Sequence, residues 1–159
     1  MSEIHIVGMG MGNPKLLTVE ASGVITESSI LIGDARLLEN YKNTDKELYP
    51  ATRAAQVVEI INNLSVSARI AVLVSGDVGF YSLTKSLLAL LPRKATLHCG
   101  INSLQYFAAK LQTSWQDACL LSLHGRDNNF IHKVKQQAKV FMLTGGTHSV
   151  RKICTQLTA

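Results

Sequence analysis

Cysteine is scarce in this chain. Cys99, Cys119 and Cys154 lie far apart, with no CxxC pair, which excludes a disulfide framework and a cysteine-built zinc site. A reduced, cytoplasmic setting is the expectation. Long apolar runs are missing as well: a membrane-spanning helix needs roughly 18–20 consecutive apolar residues, and the run from Ile70 to Val74 has only the length of a buried strand. The N-terminal Met-Ser-Glu-Ile-His lacks a basic segment followed by an apolar one, so secretion is not expected. Aromatic residues make up 6% of the chain and do not interleave with its basic residues, which weighs against a nucleic-acid partner. His5, His98, His124, His132 and His148 show no HxxxH or HxH spacing, and no protein-held metal is expected.

What is present is an ordinary globular composition, 47% hydrophobic and 17% charged over 159 residues, enough for one domain or two small ones. Sixteen Lys and Arg against eleven Asp and Glu leave a formal charge of +5, with a modest cluster at Arg126, Lys133, Lys135 and Lys139. Such a balance suits an anionic partner, either nucleic acid or a polycarboxylate small molecule.

Strands and helices alternate along the sequence. Glu3 to Val7 alternates polar and apolar and stops at Gly8, Gly10 and Gly12, a strand running into a tight loop. Thr18 is placed to cap the next helix, without a capping box. Ser29 to Gly33 reads as a strand, with Asp34 placed to cap the helix Ala35 to Tyr41, and Asn43 to Pro50 as a polar turn region. Ala54, Val57, Val58, Ile61 and Leu64 line one helix face. Arg69 to Val74, apolar on both faces, reads as a central parallel strand. Further strands are expected at Ala95–Cys99, Cys119–Leu123 and Val140–Leu143, with helices at Leu83–Leu91, around Leu104–Leu111, over about 129–138 and from near His148. The pattern implies an α/β fold with a largely parallel sheet. Polar Gln112 to Gln116 marks the expected boundary between a domain over 1–112 and a second over 113–159, the latter expected to be incomplete because the sequence stops at Ala159 in a helix just begun.

The loops that follow the strands carry the candidate chemistry, because open parallel sheets bind ligands beyond their strands' carboxyl ends. Gly8-Met-Gly-Met-Gly-Asn13 fails the dinucleotide fingerprint at Asn13, and no Gly-Lys-Ser/Thr phosphate loop is present. In Ser75-Gly-Asp-Val-Gly-Phe-Tyr-Ser82, Gly76 and Gly79 permit close backbone approach. The Asp77 carboxylate there can receive a ribose hydroxyl, order its own loop or cap the following helix.

Four stretches together resemble the tetrapyrrole (corrin/porphyrin) methyltransferases: Val7-Gly-Met-Gly-Met-Gly-Asn-Pro-Lys-Leu-Leu-Thr18, Ser29-Ile-Leu-Ile-Gly-Asp-Ala-Arg-Leu-Leu38, Val74-Ser-Gly-Asp-Val-Gly-Phe-Tyr-Ser82 and Gly100-Ile-Asn-Ser103. A fifth, Ser122-Leu-His-Gly-Arg126, is similar to the branch that methylates C5 of cobalt-precorrin-7, or to the N-terminal half of its aerobic C5,15 counterpart. The resemblance implies two small α/β domains with a cofactor cleft between them and S-adenosylmethionine as methyl donor. It assigns cofactor contacts to Met11, Ser75, Gly76, Asp77, Phe80, Asn102, Ser103, Leu143 and Thr144. Met11 and Val78 stand where the family usually has proline, which leaves both loops less stiff. It further implies a tetrapyrrole substrate met by Gly10, Tyr81, His124 and Arg126, a homodimer, and a possible partner methyltransferase or decarboxylase of cobalamin biosynthesis. No metal is implied beyond cobalt carried by the substrate.

Among these residues, His124 is the candidate base, since imidazole titrates near neutrality. The fork of Arg126 suits a substrate carboxylate. A same-fold methyltransferase acting on RNA or protein, and a non-catalytic fragment that binds S-adenosylmethionine, are the alternative readings.

Overall fold

A computed structural model describes residues 3–64, 67–124, 130–146 and 148–158. The chain divides into two compact units, Met1–Ser103 and Leu104–Ala159. Among the described residues no helix is long and apolar enough to cross a membrane.

The first unit is a five-stranded sheet made of β1 (Glu3–Gly8), β2 (Ile30–Gly33), β3 (Glu47–Pro50), β4 (Arg69–Val74) and β5 (Thr96–His98). Its order is β3-β2-β4-β1-β5, and every pairing is parallel. Helices α1 (Val19–Glu27), α2 (Ala35–Leu38), α3 (Ala54–Asn63) and α4 (Thr84–Leu90) supply the crossovers. Strand residues point alternately to the two faces, and each face has its own core. Ile4, Ile6, Ile30, Ile32, Ile70 and Val72 pack against Val57 and Ile61 of α3 and Leu87 of α4. Val7, Leu31, Ala71 and Leu73 pack against Ala21, Val24 and Ile25 of α1 and Leu37 and Leu38 of α2. Both faces are covered, which is why the central strands read as continuous apolar runs.

The expected caps are present. Thr18 accepts the Ala21 amide at 3.1 Å, and Asp34 accepts that of Arg36 at 2.9 Å. One sequence expectation needs correction. Glu47–Pro50, expected as turn, is the edge strand β3, paired only with β2; an edge strand with half-exposed side chains lacks the apolar run that marks a buried one. In β1 the polar position His5 is only 8% exposed, because α1 covers that face.

The second unit contains α5, whose range Ser103–Lys110 begins at the boundary, together with β6 (Cys119–Ser122), α6 (Phe130–Gln136), β7 (Val140–Leu143) and α7 (Val150–Thr158). β6 and β7 pair in parallel. Leu123, Phe130 and Ile153 form its small core, with Leu121, Ile131, Val134 and Met142 against them. Lys139 ties down the start of this unit, donating to Asp117 Oδ1 at 2.8 Å and to the Ser114 carbonyl at 2.8 Å.

Candidate active site

The strand order sets β4, β1 and β5 side by side, so the loops that leave their carboxyl ends are neighbours. The connection from β1 runs past β4 to β2, and that from β4 runs past β1 to β5, both leaving from the carboxyl end of the sheet, where parallel sheets hold their ligands. Pairing continues past the strands. The Met9 amide donates to the Val74 carbonyl at 2.9 Å, and Gly10 and Gly76 then exchange both backbone bonds, at 3.0 and 2.7 Å. Gly10 (φ +61°) and Gly76 (φ +71°) adopt the left-handed conformation this reversal requires.

The third loop closes on the first two. A Cβ added at Gly8 would stand 2.6 Å from the Gly100 nitrogen and 2.9 Å from the Gly76 carbonyl oxygen. One added at Gly100 would collide with the Gly8 and Gly76 carbonyls. Three backbones thus meet without an intervening side chain, forming a glycine-walled cradle that is closed between Gly8 and Gly100 and open beyond Gly76, where nothing lies within 4 Å of where a Cβ would be.

Asp77 joins the last two loops. Its Oδ1 accepts the Gly79 amide at 2.8 Å, and its Oδ2 accepts the Gly100 amide at 3.1 Å. Of the three roles open to this carboxylate in the sequence, the geometry uses loop ordering. The start of α4 has its own bond, from the Thr84 amide to Ser82 Oγ at 3.3 Å. Each carboxylate oxygen keeps acceptor capacity beyond its amide bond. Phe80 and Tyr81 stand edge to face with ring centroids 4.9 Å apart. Tyr81 is 45% exposed and sits at φ +50°, an uncommon conformation for an aromatic residue and one that gathers at functional loops.

Of the residues predicted from sequence, Gly10, Met11, Ser75, Gly76, Asp77, Phe80, Tyr81, Asn102 and Ser103 all fall on these three loops of the first unit. Asn102 is buried. Leu143 ends β7 in the second unit and Thr144 follows it; the Leu123 amide donates to the Leu143 carbonyl there at 2.8 Å. His124 lies at the matching end of β6, its ring so close to Gly145 that a Cβ there would strike it. Arg126 lies outside the described residues. Sequence reasoning missed the role of Gly8, whose signal was a glycine closing a strand that alternates polar and apolar residues. It also missed a buried polar chain on the α1 face, considered below.

Comparison with known proteins follows from this geometry. The family model described as tetrapyrrole (corrin/porphyrin) methylases matches residues 3–159. A curated protein of Methanocaldococcus jannaschii, a probable cobalt-precorrin-7 C(5)-methyltransferase, is 32% identical over 148 residues, covering 88% of this chain and 70% of that protein. The crystal structure of the methyltransferase CobJ superposes with a TM-score of 0.69 at 19% identity; the match covers 86% of this chain and 62% of that one. The uroporphyrin-III C-methyl transferase of Thermus thermophilus, solved with S-adenyl homocysteine, gives 0.69 at 18% identity and covers 98% of this chain and 71% of that one.

Proposed function

The chain belongs to the tetrapyrrole (corrin/porphyrin) methylase family, and from that premise we propose that it transfers a methyl group from S-adenosylmethionine to C5 of cobalt-precorrin-7 in cobalamin biosynthesis. The observation that carries the cofactor assignment is the glycine-walled cradle at Gly8, Gly76 and Gly100 with Asp77 bonded across it. The bare backbone at Gly76, where a Cβ would meet nothing within 4 Å, leaves room for a ligand to lie against the loop, and the remaining acceptor capacity of Asp77 suits a ribose hydroxyl. Methylation of C5 is supported by the name of the M. jannaschii relative and by the Leu123-His-Gly-Arg126 stretch.

S-adenosylmethionine, when bound, supplies a methyl group already activated on a sulfonium, so neither a covalent enzyme nucleophile nor a metal is needed to make it reactive. The work left to the protein is orientation, worth up to roughly 7–11 kcal/mol in ideal cases. Asp77 presets the cradle by holding the Gly79 and Gly100 amides before any ligand arrives, so less ordering cost falls on binding. Met11, Ser75, Phe80, Asn102 and Ser103 would line the cofactor, with Gly10 and Tyr81 toward the ring substrate.

Calorimetric titration with S-adenosylhomocysteine tests this reading. Saturable one-site binding is expected, with at least about tenfold loss in Asp77→Ala, since each bond to a charged acceptor is worth about 1.5–3 kcal/mol. Labelled S-adenosylmethionine incubated with cobalt-precorrin-7 should then give a singly methylated ring. A folded chain that binds no S-adenosylhomocysteine would overturn the cofactor assignment. Binding with transfer to a different ring carbon would overturn only the position.

A further inference from the structure

On the α1 face of the first unit, four polar side chains from three elements form a line through an otherwise apolar region. Glu20 Oε1 of α1 lies 2.8 Å from His98 Nδ1 of β5. His98 Nε2 lies 3.0 Å from His5 Nδ1 of β1, and His5 Nε2 faces Glu3 Oε2 at 3.6 Å. Both imidazoles are buried, His5 at 8% and His98 at 5% exposure. The two contacts of His98 are hydrogen bonds, while His5 Nε2 is buried without one, and this line serves no step of the methyl transfer proposed above.

Its position gives it a use. β5 is a three-residue edge strand, and Cys99–Ser103, the third wall of the cradle, follows it directly. His98 is the last strand residue before that wall. A second tether runs alongside it, from Thr18 Oγ1 to the Cys99 carbonyl at 3.3 Å. The imidazole pair therefore anchors the loop's point of departure to both β1 and α1.

Proton counting sets a condition on the anchor. The Glu20 carboxylate accepts, so His98 Nδ1 carries a proton. The contact between the two rings needs one proton between its nitrogens. That proton sits on His5 with both rings neutral, or on His98 as an imidazolium beside Glu20. Either state keeps the contact. When both rings are cations, two N–H groups oppose each other at 3.0 Å and the contact is lost. The charged groups facing the pair are Glu3 on β1, Arg69 on β4, Glu20 on α1, and Glu27 on α1 acting through its 2.8 Å pair with Arg69.

We propose that the Glu20–His98–His5 chain is a positioning device for the Cys99–Ser103 loop, holding it in place only while the two imidazoles share a single proton. Calling that loop a cofactor loop rests on the reading above, and the test separates the two ideas.

Backbone amide exchange of Leu97, His98 and Gly100 in the ligand-free chain, corrected for the intrinsic pH dependence of exchange, is compared at pH 7.5 and 5.5. Carboxylates remain charged across this range, and histidine is the side chain whose charge changes near it. Protection should fall about tenfold in the wild type, because local opening follows the contact that is lost. His5→Asn keeps a non-titrating amide that can donate to or accept from His98, and its protection should change less than about twofold. His5→Leu removes the contact and should exchange fast at both pH values; if it fails to fold, the other two proteins carry the comparison. Wild-type protection independent of pH, or a fall that persists in His5→Asn, would overturn the proposal. S-adenosylhomocysteine affinity, measured in parallel, should follow the same pattern. Absence of binding at both pH values would overturn the cofactor reading and leave the positioning device to be judged on exchange alone.

Discussion

At the scale of single residues, two glycines of this chain make opposite demands. Gly100 is held by sterics: any side chain there meets the carbonyls of Gly8 and Gly76, backbone atoms that cannot swing aside. Gly23 lies within α1 with nothing within 4 Å of where its Cβ would be. Gly100→Ala should therefore lose about 1–3 kcal/mol, the usual cost of overpacking, and S-adenosylhomocysteine affinity with it. Gly23→Ala should gain about 0.5–1 kcal/mol through helix propensity alone and leave affinity unchanged. Urea denaturation midpoints and one titration per variant check both. In sequence the two glycines differ only in what surrounds them, and the clash at Gly100 comes from residues 24 and 92 positions away. A position after a strand marks a turn, but not whether that turn is crowded.

At the scale of elements, Thr18 shows a local device recruited to a distant purpose. It caps α1 through the Ala21 amide, and the same hydroxyl donates to the Cys99 carbonyl beside the cradle. Thr18→Ala should cost about 0.5–2 kcal/mol, the range for a lost N-cap, and should also weaken S-adenosylhomocysteine binding. Thr18→Ser keeps the hydroxyl and should restore both, as thermal melts and titration would report. The cap was readable from Thr18 standing before an apolar-periodic segment. Its second bond was not, because it spans 81 residues. The strands divide in the same way. β4, with apolar side chains to both faces, announces itself over its full length. β3 at the sheet edge resembles a turn in composition and is a strand only because β2 pairs with it.

At the scale of the molecule, the two units have different sensitivities to acid. Burial, then the Arg69 guanidinium and the His98 ring, hold the His5 imidazole below its ordinary value of 6.5, against the opposing pull of Glu3. The unfolded chain takes up this proton more readily than the folded one, so the stability His5 contributes is full above pH 6.5. It is lost as pH falls from there through the lower folded value. In the second unit, the bond from Lys139 chiefly lowers the exposed Asp117 carboxyl from 3.8, so that contribution survives until much lower pH. Trp115, the single tryptophan, reports on the second unit. Between pH 7.5 and 5.5, the urea midpoint followed by far-UV circular dichroism should fall while that of Trp115 fluorescence holds. His5→Asn should bring the two back together.

Local pattern alone settled much about this protein. Apolar runs, caps and turn glycines specify the α/β alternation, and the glycine-rich loops with Asp77 mark the candidate site, because propensity and periodicity act between near neighbours. Folding settled the rest, because those features join residues far apart in the chain. The exchange of bonds between Gly10 and Gly76, the collision that keeps Gly100 a glycine, and the pairing of His5 with His98 across 93 residues exist only once the parallel order β3-β2-β4-β1-β5 brings the ends of β1, β4 and β5 side by side.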